Sequence, residues 1–363
     1  MNIAMIIMRD GKTDSGVGTA NSRIASKLRK KGHAVTLITS GGSFGFERLD
    51  QLTKQTGCPV IEARGLYSNP ADIEIVEVPR LSRLLQPFDW IIVSGIHFAY
   101  SRIIKAALGK PVDIFTHGQQ VSPLATNDLT EFKRGNVRLI CINEIHRQEA
   151  RFKGIEDRAA CGPKTLMFDL PIPFLPREVK PAGSYCVAVG TAIRKNLERV
   201  AETAAALNPG SPTSPQARWG GMECRVYGAP NKNTQSFIDA SPWLKYMGEV
   251  PHDELLEVIA GAAFMIHMGI IEGRPMCVLE ALGLGVPVIV LDTILYDFVK
   301  EAPWCVMLDP SRPVAEQIDN DFDRRFLALD NRKVLAKWAH EQYGDAHLEK
   351  QLMELLKNNR FEV

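Results

Sequence analysis

Between His267 and Asp292 the chain reads HMGIIEGRPMCVLEALGLGVPVIVLD, and this run narrows the possible folds more than any other. Met276, Leu279, Glu280, Ala281 and Leu282 carry the 3.6-residue period of a helix packed on a sheet. Gly283 and Gly285 close that helix, and VPVIVLD after them has the unbroken apolar character of a parallel strand buried on both faces. Glu272 lies in the loop before the helix and Glu280 on its body, with seven residues between the two carboxylates. A helix N-terminus offers unpaired N–H groups to a phosphate, and a nearby carboxylate accepts from sugar hydroxyls. The alternative left open by spacing alone is a capping glutamate followed by a solvent-facing one.

The same grammar recurs along the chain. Asn2–Met8 reads as a strand, followed by a polar loop ending in Gly16, Val17 and Gly18. A helix follows, with Ala20, Ile24 and Leu28 inside and Arg23, Lys27, Arg29, Lys30 and Lys31 outside, and then a strand over Ala34–Thr39. Strand, glycine loop, helix, strand opens a doubly wound nucleotide-binding domain. Gly16 and Gly18 let backbone approach a ligand, although G-V-G lacks the full dinucleotide spacing. Trp90–Val93, Val112–Phe115 and Leu139–Ile142 are further strands, with His97, His117 and Asn143 at or beyond their carboxyl ends, where open α/β sheets hold ligands. Pro171, Pro173, Pro176 and Pro181 break the pattern over residues 165–183 and place a domain boundary near residue 175. The second half restarts with a strand over Tyr185–Val189, then the loop and helix GTAIRKNLERVAETAAAL.

The stretch EGRPMCVLEALGLGVPVIVLD resembles the donor-binding motif of retaining glycosyltransferases of the GT-B fold, in particular family 4. The resemblance covers about twenty consecutive residues, with weaker matches in the right order elsewhere. It implies an α/β chain of two Rossmann-like domains facing across a cleft: residues 1–174 on the acceptor side, 175–340 binding the nucleotide sugar, and a helix over 341–363 returning to the first domain. It implies that Glu272 faces the transferred sugar, that Glu280 holds the ribose, and that the backbone of Gly273, Arg274, Pro275, Met276 and Cys277 lies near sugar and diphosphate. His117 in FTHG would contact the sugar, Gly16, Val17 and Gly18 the diphosphate, and the backbone near Val250 the base. The family's arginine after the strand-end glycine is replaced by Thr191. Lys195 matches the family's lysine, and Arg194 is the candidate stand-in for the arginine.

The expected activity is metal-independent transfer of a hexose or pentose from a nucleotide-diphosphate sugar to a hydroxyl, with no obligatory cofactor. The acceptor stays open between a glycan, a small molecule, a lipid-linked sugar and a modified DNA base, as does the oligomeric state. The clusters Arg29-Lys30-Lys31 and Lys133-Arg134 raise the polyanion alternatives, against a net charge of +1. An inactive transferase-like binding module is the other alternative, supported by Thr191. Asp319-Asn320-Asp321 forms a D-x-D that reads as a surface turn rather than a metal site. Seven cysteines without a C-x-x-C pair, and the lack of a long apolar run, point to a cytoplasmic chain whose membrane contact would be peripheral.

Overall fold

The structure, a computed structural model, describes residues 1–7, 16–39, 52–54, 56–63, 78–94, 100–116, 136–152, 165–208, 222–229, 232–318 and 327–357. The chain divides into two compact units, Met1–Pro173 with Ala346–Val363, and Phe174–Asp345.

In the first unit the described strands are β1 (Asn2–Ile7), β2 (Ala34–Thr39), β3 (Val60–Glu62), β4 (Trp90–Ser94), β5 (Val112–Thr116), β6 (Val137–Cys141) and β7 (Thr165–Met167). They form one parallel sheet in the order β3-β2-β1-β4-β5-β6-β7. Burial on both faces explains the apolar composition: every residue of β4, β5 and β6 is buried. Helices α1 (Gly16–Lys30), α2 (Val78–Leu85), α3 (Tyr100–Ala106) and α4 (Glu144–Phe152) follow strands of this sheet. Ala20, Ile24 and Leu28 of α1 are fully buried, as the period predicts. Asp113 of β5 and Arg138 of β6 are register partners inside this sheet and form a bidentate ion pair, with Nε–Oδ1 at 2.7 Å and Nη2–Oδ2 at 2.6 Å. Trp90 donates its indole N–H to the same carboxylate at 3.1 Å.

In the second unit β8 (Tyr185–Val189), β9 (Glu223–Tyr227), β10 (Leu244–Gly248), β11 (Met265–His267), β12 (Val288–Leu291) and β13 (Val306–Leu308) form a parallel sheet in the order β10-β9-β8-β11-β12-β13. This is the doubly wound order, and its switch point lies between β8 and β11. Helices α5 (Leu197–Leu207), α6 (Lys232–Ala240), α7 (His252–Gly261), α8 (Met276–Gly283) and α9 (Leu329–Tyr343) are the described α-helices of this unit. The buried guanidinium of Arg332 in α9 donates to the carbonyls of Ala260 and Ala262 at 2.7 and 2.8 Å, capping the end of α7. Helix α10 (Asp345–Lys357) belongs with the first unit, where Leu348, Leu352 and Leu355 join the core of Ile3, Met5 and Leu37.

The proline-rich stretch after residue 165 is more than a connector. It begins with β7, and Phe168, Leu170, Ile172 and Phe174 along it are buried. Prolines stop helix and sheet here without stopping burial, because extended backbone can still alternate its side chains into a core. Helix α8 also departs from the single-faced pattern. It packs against α7, α9, β11 and β12, so Val278, Leu279, Glu280, Ala281, Leu282 and Gly283 are all buried.

Candidate functional site

Ligands in open α/β sheets bind outside the carboxyl ends of the strands, at the switch point. In the second unit that place is built from the loops after β8 and β11. Three neighbouring strands end there in glycines of positive φ: Gly190 at 94°, Gly228 at 131° and Gly248 at 89°. Gly190 donates its N–H to the carbonyl of Tyr227 at 2.8 Å and Gly228 to that of Gly248 at 3.0 Å, which stitches the three turns together. A Cβ on Gly190 would stand 2.6 Å from Cε of Lys195, so the lysine stem lies across a surface only glycine leaves open.

Lys195 ends a 3-10 turn over Ile193–Lys195 and places Nζ 2.6 Å from Oε1 of Glu272 in the loop after β11. The Arg194 Nε stands 3.9 Å from the same oxygen, with a half-exposed side chain, and its carbonyl accepts from the amide of Ile270 at 3.1 Å. Two segments 77 residues apart in sequence therefore meet as one charged cluster. Glu272 is 8% exposed and Glu280 only 5%, so neither is a solvated surface carboxylate. Nor does Glu272 cap α8: the N-cap is Pro275, which makes no side-chain cap bond. Oε1 of Glu280 instead meets Nε2 of His252, at the start of α7, at 2.8 Å.

Of the residues read as donor-binding, Met276 and Cys277 open α8, where helix geometry provides no intrahelical acceptor for their amides. Pro275 has no amide N–H to offer. The guanidinium of Arg274 lies over the rings of Phe298 and Tyr343, 4.8 and 5.8 Å from their centroids. Val250 follows β10 by two residues, in the turn before α7. Burial pushes the Cys277 thiol up to about 12, which keeps it protonated near neutral pH and unsuited to nucleophilic work. Thr191 is buried and donates to the carbonyl of Ala229 at 2.6 Å, so it is a strand-end brace and not a truncated cation site. Gly16, Val17 and Gly18 start α1 in the first unit. His117, His97, Lys133, Arg134 and the D-x-D at Asp319-Asn320-Asp321 lie outside the described residues.

Sequence reading missed three members of this site. His267 ends β11 and is 2% exposed; its Nε2 stands 3.2 Å from Nζ of Lys195 and its Nδ1 2.7 Å from the hydroxyl of Tyr296. Tyr296 in turn donates to the carbonyl of Gly269 at 2.9 Å. His252 is the third. The signal for His267 was present, because a polar residue ending an apolar strand is the argument that singled out His117.

Burial first, and then the charges of Lys195 and Arg194, hold His267 well below its ordinary value of 6.5. As pH falls through about 6.5 the unfolded chain takes up a proton that the folded chain refuses, so stability declines toward acid by up to about 1.4 kcal/mol per pH unit. Urea unfolding at neutral and mildly acidic pH should show a steeper acid loss in wild type than in His267→Gln. Equal losses in the two proteins would refute this.

Among the described residues no group of three His, Cys, Asp or Glu side chains could hold a metal ion, and no helix is long and apolar enough to cross a membrane. No family model and no curated protein matches the sequence. Solved structures do match the fold. Anabaena HepE, in complex with UDP and glucose, aligns with a TM-score of 0.67 and 13% identity over 98% of this chain and 99% of its own. The pneumococcal O-GlcNAc transferase GtfA, in complex with UDP and GlcNAc, aligns with a TM-score of 0.70 and 12% identity over 99% of both chains. WaaG, a glycosyltransferase of lipopolysaccharide biosynthesis, aligns with a TM-score of 0.63 and 14% identity over 97% of this chain and 98% of its own. Two parallel-sheet α/β units, matched almost end to end by these structures, give the chain the GT-B fold of glycosyltransferases.

Proposed function

We propose that the chain is a retaining glycosyltransferase that moves a sugar from a nucleotide-diphosphate sugar to a hydroxyl acceptor. The observation that carries this reading is the convergence of Lys195, Arg194, Glu272 and the first turn of α8 at the switch point of the second sheet. Two cations and helix-terminal amides are what a departing diphosphate requires, because its negative charge grows as the glycosidic bond breaks. Glu272 would hold hydroxyls of the transferred sugar and Glu280 those of the ribose, with the base against the backbone near Val250. His117 would serve the sugar as well. The leaving phosphate oxygen would take the acceptor's proton on the face it departs from, so no carboxylate nucleophile is assigned. HepE and GtfA hold UDP, which makes a UDP-sugar the first donor to test.

The second unit would bind donor and the first acceptor, in the cytoplasm and without an obligatory metal. Of the cluster Arg29-Lys30-Lys31, Lys31 pairs with Glu349 of α10, which also takes Lys27 at 3.3 Å, so one of its three charges is already met within the first unit. An inactive binding module gains little from Thr191, whose hydroxyl has a structural partner while Arg194 and Lys195 supply the positive charge.

A thermal-shift panel of nucleoside diphosphates and their sugars, without added metal, tests the donor site. A nucleotide at a hundred times its Kd should stabilise wild type by about 2.7 kcal/mol, raising Tm by roughly 5–10 °C for a unit of this size. Glu280→Ala should lose that rise. A panel that moves neither protein would end the donor-site reading, and an inverted anomer in the product would end the retaining one.

A further inference from the structure

A lysine ammonium has three N–H donors on a flexible four-carbon stem, so its acceptors fix where it sits. Lys195 forms an ion pair with Oε1 of Glu272 at 2.6 Å and donates a hydrogen bond to Nε2 of His267 at 3.2 Å. The second contact requires a lone pair on Nε2, and the neighbours supply the reason it is there. Tyr296 is fully buried, and that burial holds its phenol protonated. Its single proton goes to the carbonyl of Gly269, so its oxygen can only accept from Nδ1–H of His267. The imidazole is thereby assigned the tautomer with Nε2 bare. Gly269 keeps the space: a Cβ there would come within 2.9 Å of Cε1 of His267 and 3.2 Å of the Tyr296 hydroxyl. Plain filling of this strand end would call for an apolar residue, as at Phe264, Met265 and Ile266 just before it.

We infer that His267, locked by Tyr296, is the positioning residue for Lys195: a neutral acceptor that fixes the ammonium without neutralising it, so that a remaining N–H meets the donor's diphosphate. The inference rests on the donor-site reading above and adds to it. A carboxylate at position 267 would fix the lysine equally well, but Glu272 already stands against it, and a second anion would cancel the positive charge a diphosphate needs. Imidazole nitrogen provides the hydrogen bond without the charge.

The test compares wild type with His267→Gln, His267→Leu, His267→Glu and Tyr296→Phe as full chains. UDP, ADP and GDP binding is measured by calorimetry, and turnover of the matching glucose nucleotide by release of nucleotide. Glutamine, a neutral acceptor, should retain most of the activity. Leucine should lose kcat by about tenfold to a hundredfold, the worth of one hydrogen bond to a charged group, with KM little changed. Glutamate should lose nucleotide affinity too, and Tyr296→Phe should fall between glutamine and leucine. Nitrogen-15 NMR of the histidine-labelled chain reads the tautomer without any donor, and should find Nδ1 protonated and Nε2 bare at neutral pH. A leucine variant with wild-type kcat, or an Nε2–H tautomer, overturns the inference while leaving the donor site standing. Wild type that binds none of the three nucleotides overturns the donor site and this role with it, whatever the tautomer.

Discussion

Lys195→Ala is expected to lower donor turnover by about a thousandfold or more, the largest effect of any single change in the second unit. Loss of one preorganised donor to a developing oxyanion costs about 10²- to 10³-fold in other enzymes. Here the substitution does more than remove the donor. Glu272 is 8% exposed, and without Lys195 its carboxylate faces only the longer contact to Arg194 at 3.9 Å among the described cations. On the donor-site reading proposed above, the buried anion would then repel the donor's diphosphate. Lys195→Arg should fail to restore activity, because the stem already lies so close to Gly190 that even a Cβ there would stand 2.6 Å from Cε. A planar guanidinium has no room to replace the ammonium between Glu272 and His267. Release of nucleotide from its sugar, followed beside nucleotide affinity, measures the effect. Turnover close to wild type in the alanine variant would remove Lys195 from the chemistry.

Asp113→Ala is expected to destabilise the first unit by about 3–5 kcal/mol, the range seen when one partner of a buried ion pair is deleted. Arg138 is 3% exposed and would be left as a buried cation, while the indole of Trp90 would lose its acceptor. These three residues sit on β4, β5 and β6, so the carboxylate ties three adjacent strands across the sheet. Replacing both charges, as Asp113→Leu with Arg138→Leu, should cost much less than the single change, because it removes the desolvated charge together with its partner. Urea midpoints of the two variants and wild type decide the matter. A single variant as stable as wild type would mean that water or another anion reaches Arg138.

The sheets were legible in the sequence because strands buried on both faces must be apolar throughout. Tyr185–Val189 and Ala34–Thr39 were readable to the residue, and Asn2–Ile7 to within one. The strands that escaped, Val60–Glu62, Thr165–Met167 and Val306–Leu308, are three-residue edge or near-edge strands, too short to show any period. At the site, Glu272 and Glu280 stood out because nine residues of sequence hold both of them. The pairings they make did not. Lys195 meets Glu272 across 77 residues, and His267 meets Tyr296 across 29. Such pairs are made by strand order, which local spacing does not encode. Glu280 was ambiguous for a related reason: its burial depends on α7 and α9 covering α8 from sides that α8 itself cannot specify.

The return of α10 to the first unit has a consequence for how the chain comes into being. Synthesis runs from the amino end, so β1 and α1 emerge first, yet the core they belong to also needs Leu348, Leu352 and Leu355. Arg138 likewise donates to the carbonyl of Leu355 at 3.4 Å, and Asp169 meets His347 at 3.1 Å. The first unit is therefore topologically the host and the second an insertion, and the guest is fully translated while part of the host's core is still missing. Domains generally fold as units during synthesis. A chain ending at Asp345 would thus hold every residue of the second unit while the first unit's core still lacked Leu348, Leu352 and Leu355.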